Sequence, residues 1–208
     1  MITHLLFDLD DTLYSVRYGL DTITSRRIEI YLSVLLNISV DEVKDIRSNI
    51  FKNYGTTLEW MIAEKKFSDI DGYFAAVHPE DEADSLMSDP GLRDFLRSIP
   101  LPKAILTNSP LEHAERILEK LEIRQEFTHV FDIRHNNFIG KPHKEAFSRA
   151  LDAMTAEPET TLFVDDSPPY IAGFLAMGGK ALLLDELDQH AKTGYQRIKY
   201  IHEIKKYL

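Results

Sequence analysis

Five short apolar runs punctuate the chain, at residues 4–9 (HLLFDL), 103–108 (KAILTN), 129–134 (HVFDIR), 161–166 (TLFVDD) and 180–185 (KALLLD). Most are continuous rather than alternating, which is the pattern of strands covered on both faces. Helical patterns with recognisable starts lie between the later runs. Asp89-Pro90 and Ser109-Pro110 each set a capping residue before a proline, and Ser109 with Glu112 fits a capping box leading into LEHAERILEKL. Strand and helix in alternation predict a parallel sheet with helices on both sides, an α/β, Rossmann-like fold.

Residues 15–88 break that rhythm. They hold no convincing strand but four helical segments, at 20–36, 40–53, 57–66 and 69–77. Ser39 with Glu42 gives the second its own capping box, and Gly55 and the Asp69–Gly72 region supply breaks. The pattern predicts an all-helical cap at 15–88 inserted into a discontinuous sheet core of 1–14 and 89–208. The last stretch, YQRIKYIHEIKKYL, reads as an amphipathic helix whose basic residues suit a helix C-terminus.

Composition changes this picture only by exclusion. With 208 residues, 44% hydrophobic and 28% charged, the chain can bury a sizeable core and is not disordered. Its net charge of −10 argues against binding a nucleic-acid polymer, which needs a basic surface. No apolar run approaches the roughly 18 residues of a membrane span, and the first residues read as a strand rather than a signal peptide. The absence of cysteine removes disulfides, thiolate nucleophiles and cysteine-bound zinc, and fits a cytoplasmic protein.

Ligands of open parallel sheets bind outside the carboxyl ends of the strands. There the first run ends in Asp8, Asp10 and Asp11, the second in Thr107 and Asn108, and the fourth in Asp165 and Asp166. A lysine-bearing loop, NNFIGKPHKEAF, follows the third. Carboxylates this crowded repel one another unless something positive joins them. Their oxygens suit Mg²⁺, which pairs with phosphate-bearing substrates.

These segments resemble the four motifs of the haloacid dehalogenase (HAD) superfamily, in order: DLDDT, ILTNS, GKP and FVDDS. The helical insertion is similar to that superfamily's C1 cap. FDLDDTLY, NYGTTLEWM, VHPE and TNSPLEHAERIL resemble the pyrimidine 5'-nucleotidase branch more narrowly. The resemblance implies a Mg²⁺-dependent phosphomonoesterase acting through an aspartyl phosphate, on a small phosphorylated metabolite such as a pyrimidine nucleoside 5'-monophosphate. Phosphoglycolate or a sugar phosphate would stay within that class. A metal-free dehalogenase and a catalytically silent binding protein are the readings outside it.

Carried onto this chain, the resemblance makes Asp8 the nucleophile and Asp10 the acid that protonates the leaving alkoxide and then activates water. Thr107 and Asn108 would bind the phosphoryl group, and Lys141 would neutralise charge on nucleophile and phosphate, with Lys144 a surface residue. Asp166 falls on the principal metal position, joined by Asp8, Asp10 and, secondarily, Asp165. Asp11 reads as a turn residue. Tyr170 stands where the family's pattern has asparagine. From the cap, Tyr14, Arg17, Tyr18, Tyr54, Thr56, Trp60 and His78 are available to substrate, Tyr54 and Trp60 being the expected stacking face for a base.

Overall fold

The computed structural model describes all 208 residues. Strand His4–Phe7 (β1) leads into helices Leu20–Leu36 (α1), Val40–Ile50 (α2), Thr57–Lys65 (α3) and Ile70–Val77 (α4). Helix Pro90–Arg97 (α5), strand Lys103–Leu106 (β2), helix Leu111–Lys120 (α6) and strand His129–Phe131 (β3) follow. The chain then forms helix Lys144–Met154 (α7), strand Thr161–Asp165 (β4), helix Pro168–Leu175 (α8) and strands Lys180–Leu184 (β5) and Arg197–Ile198 (β6).

The strands make one parallel sheet in the order β3-β2-β1-β4-β5-β6. This is a Rossmann-like α/β fold. Its continuous apolar runs follow from double burial: Leu5 and Phe7 face one cluster with α5 and α6, whereas Leu6 faces another with α7 and α8. The chain runs outward from β1 to β3, then crosses back to β4 on the other side of β1. That reversal opens a crevice at the carboxyl ends of β1 and β4. No helix is long and apolar enough to cross a membrane.

Helices α1–α4 gather their own cluster, including Leu32, Val43, Trp60, Met61 and Tyr73, and it meets the sheet unit at Ile133. Leu20, Ala83 and Leu86, also within 15–88, pack instead in the cluster beneath β1. Local chemistry sets the helix starts. Ser39 and Glu42 form the expected reciprocal box, and Asp89 accepts from the Gly91 and Leu92 amides. The Asp69–Gly72 region is a helix start rather than a break, because the Asp69 carboxylate accepts from the Gly72 amide.

Two expectations need correction. The tail is not one amphipathic helix: Arg197–Ile198 adds to the open edge of β5, and only Ile201–Tyr207 coils, as a 3₁₀ turn. Backbone pairing on that edge outweighs the local helical pattern. The Ser109–Glu112 box does not form either. Asp132 Oδ2 accepts from the Leu111 amide, which frees the Ser109 hydroxyl to donate to Asp10.

The lobe touches the core loops where two glycines leave no room for a side chain. A Cβ at Gly55 would lie 2.5 Å from the Lys141 carbonyl oxygen, and one at Gly140 would lie 2.7 Å from Thr56 Cγ2. Gly55→Ala therefore forces backbone apart and is expected to cost about 1–3 kcal/mol, read from urea unfolding. An unchanged midpoint would mean that this lobe–core approach is not kept in solution.

Candidate active site

The crevice is a polar cavity of about 360 Å³, with walls that include Asp8, Asp10, Thr107, Asn108, Asp166 and Tyr170. Its centre is an ion-pair triangle. The Lys141 ammonium, wholly buried, lies 2.6 Å from Asp8 Oδ1 and 2.8 Å from Asp165 Oδ2. Burial alone would lower the lysine's pKa, but Asp165 and Asp8 raise it and keep it charged. Lys144, the first residue of α7, is exposed, as expected.

Each group is set by the end of an element. The ladder bond from the Asp8 amide to Val164 extends β1 pairing to the first carboxylate, whose Oδ2 accepts from the Thr12 hydroxyl at 3.2 Å. Asn108, just past β2, brackets the lysine loop: its Oδ1 accepts from the Lys141 amide at 2.8 Å and its Nδ2 donates to the Lys141 carbonyl at 3.1 Å. Thr107 Oγ1 accepts from the Ser109 amide, turning the chain into α6. Asp11 sits at φ 54°, a left-handed conformation that aspartate tolerates, in keeping with a turn role.

Ligand oxygens of Asp8, Asp165 and Asp166 lie within 4.8 Å of one another. With Lys141 between two of them, the group carries a net charge of −2 once all three are ionised, which one divalent cation would cancel. The donors are all oxygens, so they fit Mg²⁺. Asp165 has both oxygens engaged, by Lys141 and the Ser167 amide at 2.8 Å, whereas Asp166 faces the cavity. Burial first, and then the neighbouring carboxylates, raise Asp8 and Asp166 above the ordinary range against the pull of Lys141.

Asp10 departs from the expected ligand set. Its carboxylate accepts from Tyr14 Oη and His113 Nε2, both at 2.7 Å, and from Ser109 Oγ at 3.1 Å, so it stands outside the carboxylate group. Burial would raise its pKa, but the His113 charge and hydrogen bond hold it near 2. His113 itself rises to about 10, since Asp10 and Glu82 outweigh the effect of burial. His113 has a sequence signature that went unread: it shares the buried face of α6 with Ala114, Ile117 and Leu118.

The lobe residues are arranged differently from expectation. Trp60 lies in the lobe interior, and Tyr54 packs on that cluster with its hydroxyl donating to Glu64. Neither lines the cavity. Thr56 caps α3, Arg17 pairs with Glu186 and His78 donates to Glu82. Tyr18 packs edge-on against Tyr14. From the helical segments only Asp21, in the first turn of α1, reaches the cavity. Tyr170 also lines it, taking the Asn108 amide at 3.1 Å and setting its ring 4.9 Å from the Lys141 ammonium. Aromatic residues at helical spacing filled a core here, as they commonly do.

A family model described as haloacid dehalogenase-like hydrolase matches residues 2–178. The chain belongs to this family. It is 24% identical over 186 residues to "Phosphate metabolism protein 8" of Saccharomyces cerevisiae, covering 83% of this chain but only 58% of that protein. Three solved HAD-type structures superpose along almost the whole chain. A HAD-hydrolase of Bacillus subtilis bound to magnesium has a TM-score of 0.66 at 18% identity, covering 100% of this chain and 98% of that one. A HAD phosphatase of Thermococcus onnurineus gives 0.62 at 18%, covering 99% and 97%. The L-2-haloacid dehalogenase of Xanthobacter autotrophicus gives 0.64 at 15%, covering 99% and 98%. At such identities the likeness shows a shared HAD fold.

A cation held by Asp8 and Asp166 would compete there with protons. Because both folded pKa values are raised, what these two groups contribute to the metal-free protein's stability is fully present below the ordinary carboxylate range and is lost as pH climbs through the raised values. Saturating Mg²⁺ is therefore expected to raise Tm by roughly 5–10 °C at mildly alkaline pH and by much less in weak acid. Asp166→Asn should flatten this dependence. A shift independent of pH, or kept in Asp166→Asn, would place the cation elsewhere.

Proposed function

We propose that this HAD-like hydrolase is a Mg²⁺-dependent phosphomonoesterase with Asp8 as its nucleophile. One arrangement carries the reading: a carboxylate held by a buried ammonium at the end of β1, with a second carboxylate, Asp10, fixed beside it by three donors. The yeast protein named for phosphate metabolism and the magnesium-bound HAD-hydrolase support the same chemistry.

Asp8 attacks phosphorus, and the bond to the leaving alkoxide breaks as Asp10 gives that oxygen a proton. Water then attacks the phosphorus of the aspartyl phosphate while Asp10 takes its proton. The Asp8 carboxylate departs and inorganic phosphate is released. The incoming phosphate adds negative charge beside Asp10, which favours its protonated form at the moment an acid is required. Mg²⁺, held by Asp8 and Asp166, would supply charge stabilisation to the phosphoryl oxygens. Lys141 keeps Asp8 oriented, and Thr107 and Asn108 lie where the phosphoryl group would sit. Halide leaves without a proton, so a dehalogenase would have no use for an acid at Asp10.

The leaving group meets polar walls rather than a stacking face. The substrate class this favours is a small hydroxyl-rich ester, a sugar phosphate or a nucleoside monophosphate recognised through its ribose, with Asp21 accepting from hydroxyls. Asp21→Asn should then raise KM for such esters several-fold with little change for p-nitrophenyl phosphate. Trp60→Ala should cost about 3–5 kcal/mol of stability and leave the ranking of substrates alone. A ranking altered by Trp60→Ala and untouched by Asp21→Asn would return recognition to the aromatic lobe.

Asp8→Asn should lower phosphatase turnover by at least about a thousandfold, close to 4 kcal/mol of barrier, with the fold intact by circular dichroism. Retention within about tenfold of wild-type activity would remove Asp8 from the role of nucleophile.

A further inference from the structure

A histidine occupies a position where packing asks for a hydrocarbon. His113 is only 1% exposed, on the face of α6 that also buries Ala114, Ile117 and Leu118. Burying an imidazole is costly unless its nitrogens are satisfied. Here Nε2 hydrogen-bonds to Asp10 Oδ1 at 2.7 Å, whereas Nδ1 lies 2.9 Å from Glu82 Oε1 as a charge contact without hydrogen-bond geometry. Glu82 is itself fixed, accepting from Arg116 at 2.6 Å and from His78 Nδ1 at 2.9 Å. It lies on the segment returning from the helical lobe to α5.

A purely structural role would not require this arrangement. Arg116 already neutralises Glu82, and Asp10 already accepts from Tyr14 and Ser109. What His113 adds is a buried cation between two carboxylates on separate segments, and its short hydrogen bond to Oδ1 holds the Asp10 carboxyl group from outside the cavity wall, of which His113 is not part. A carboxylate that must protonate a leaving oxygen and later deprotonate water needs one orientation for both steps, and small misplacements are expensive.

We propose that His113, oriented by Glu82, is a positioning residue for the general acid–base Asp10. This rests on the assignment of Asp10 above, and the test separates the two. Leaving groups differ in their need for an acid: an alkoxide must be protonated, whereas p-nitrophenolate departs unaided. The measured quantity is the ratio of kcat on an alkyl monoester, chosen from a panel as the best turned over, to kcat on p-nitrophenyl phosphate. Partial unfolding lowers both rates alike, so the ratio survives a loss of folded protein.

His113→Leu, which keeps volume and loses the donor, should lower this ratio by about tenfold or more while KM stays near wild type. His113→Gln, whose amide can donate where Nε2 did, should restore it to within about threefold. Asp10→Asn serves as the reference and should depress the ratio more strongly than either. If Asp10→Asn is selective and His113→Leu slows both esters equally, His113 only fills space and the proposal falls while Asp10 keeps its role. If Asp10→Asn is not selective, the acid–base assignment fails and takes the role of His113 with it.

Discussion

Everything around the crevice is organised by one buried charge. The Lys141 ammonium has no contact with water and is held between Asp8 and Asp165, while its backbone is held at both ends of the same residue by the Asn108 amide. A buried ion pair gains little over a hydrophobic substitute, but removing one partner strands the other at about 3–5 kcal/mol. The triangle is thus a poor stability device and a strict positional one. It ties the ends of β1 and β4 to the loop after β3, three segments far apart in sequence. The lobe approaches that loop at the Lys141 carbonyl, through Gly55.

This constraint explains why the sheet edge could be read from the sequence. A parallel strand buried on both faces announces itself by a continuous apolar run, and the first polar residue after it must stand at the carboxyl edge. Asp8, Thr107 and Asp165 needed no more than that. The helix starts, Ser39 with Glu42 in the lobe and Asp89 with Pro90 in the core, were legible for a similar reason: they are local chemistry, and local chemistry is what a sequence displays directly.

What stayed hidden was decided by competition between distant partners. Ser109 reads as a helix cap, yet Asp132 takes that function from another segment and releases the hydroxyl to Asp10. The tail reads as a helix, yet an open strand edge claims Arg197 and Ile198. Trp60 and Tyr54 read as a stacking face because aromatic residues near a site invite it, but four short helices need a core, and large rings fill one. Asp21 gave no signal at all. An acid in the first turn of a helix is ordinary on dipole grounds, and only the placement of α1 brings it to the cavity.

The two carboxylates after β1 show how one short segment can hold opposed electrostatics. Asp8 and Asp10 are two residues apart on an unwinding chain, so their side chains can serve neighbouring but separate surroundings. Asp8 faces Asp165, Asp166 and one ammonium, and burial with repulsion pushes its pKa up. Asp10 faces an imidazole and two hydroxyls, and its pKa is drawn down to about 2 despite burial. The first environment has negative charge to spare and invites a cation. The second is already compensated by His113 and needs none. In the proposed chemistry, a nucleophile that must not bind a proton and an acid–base group that must exchange one can share a strand end only if their surroundings are separated in this way. That separation comes from α6 and the turn leading into it, which bring His113 and Ser109 to Asp10 and leave Asp8, Asp165 and Asp166 as a group of their own.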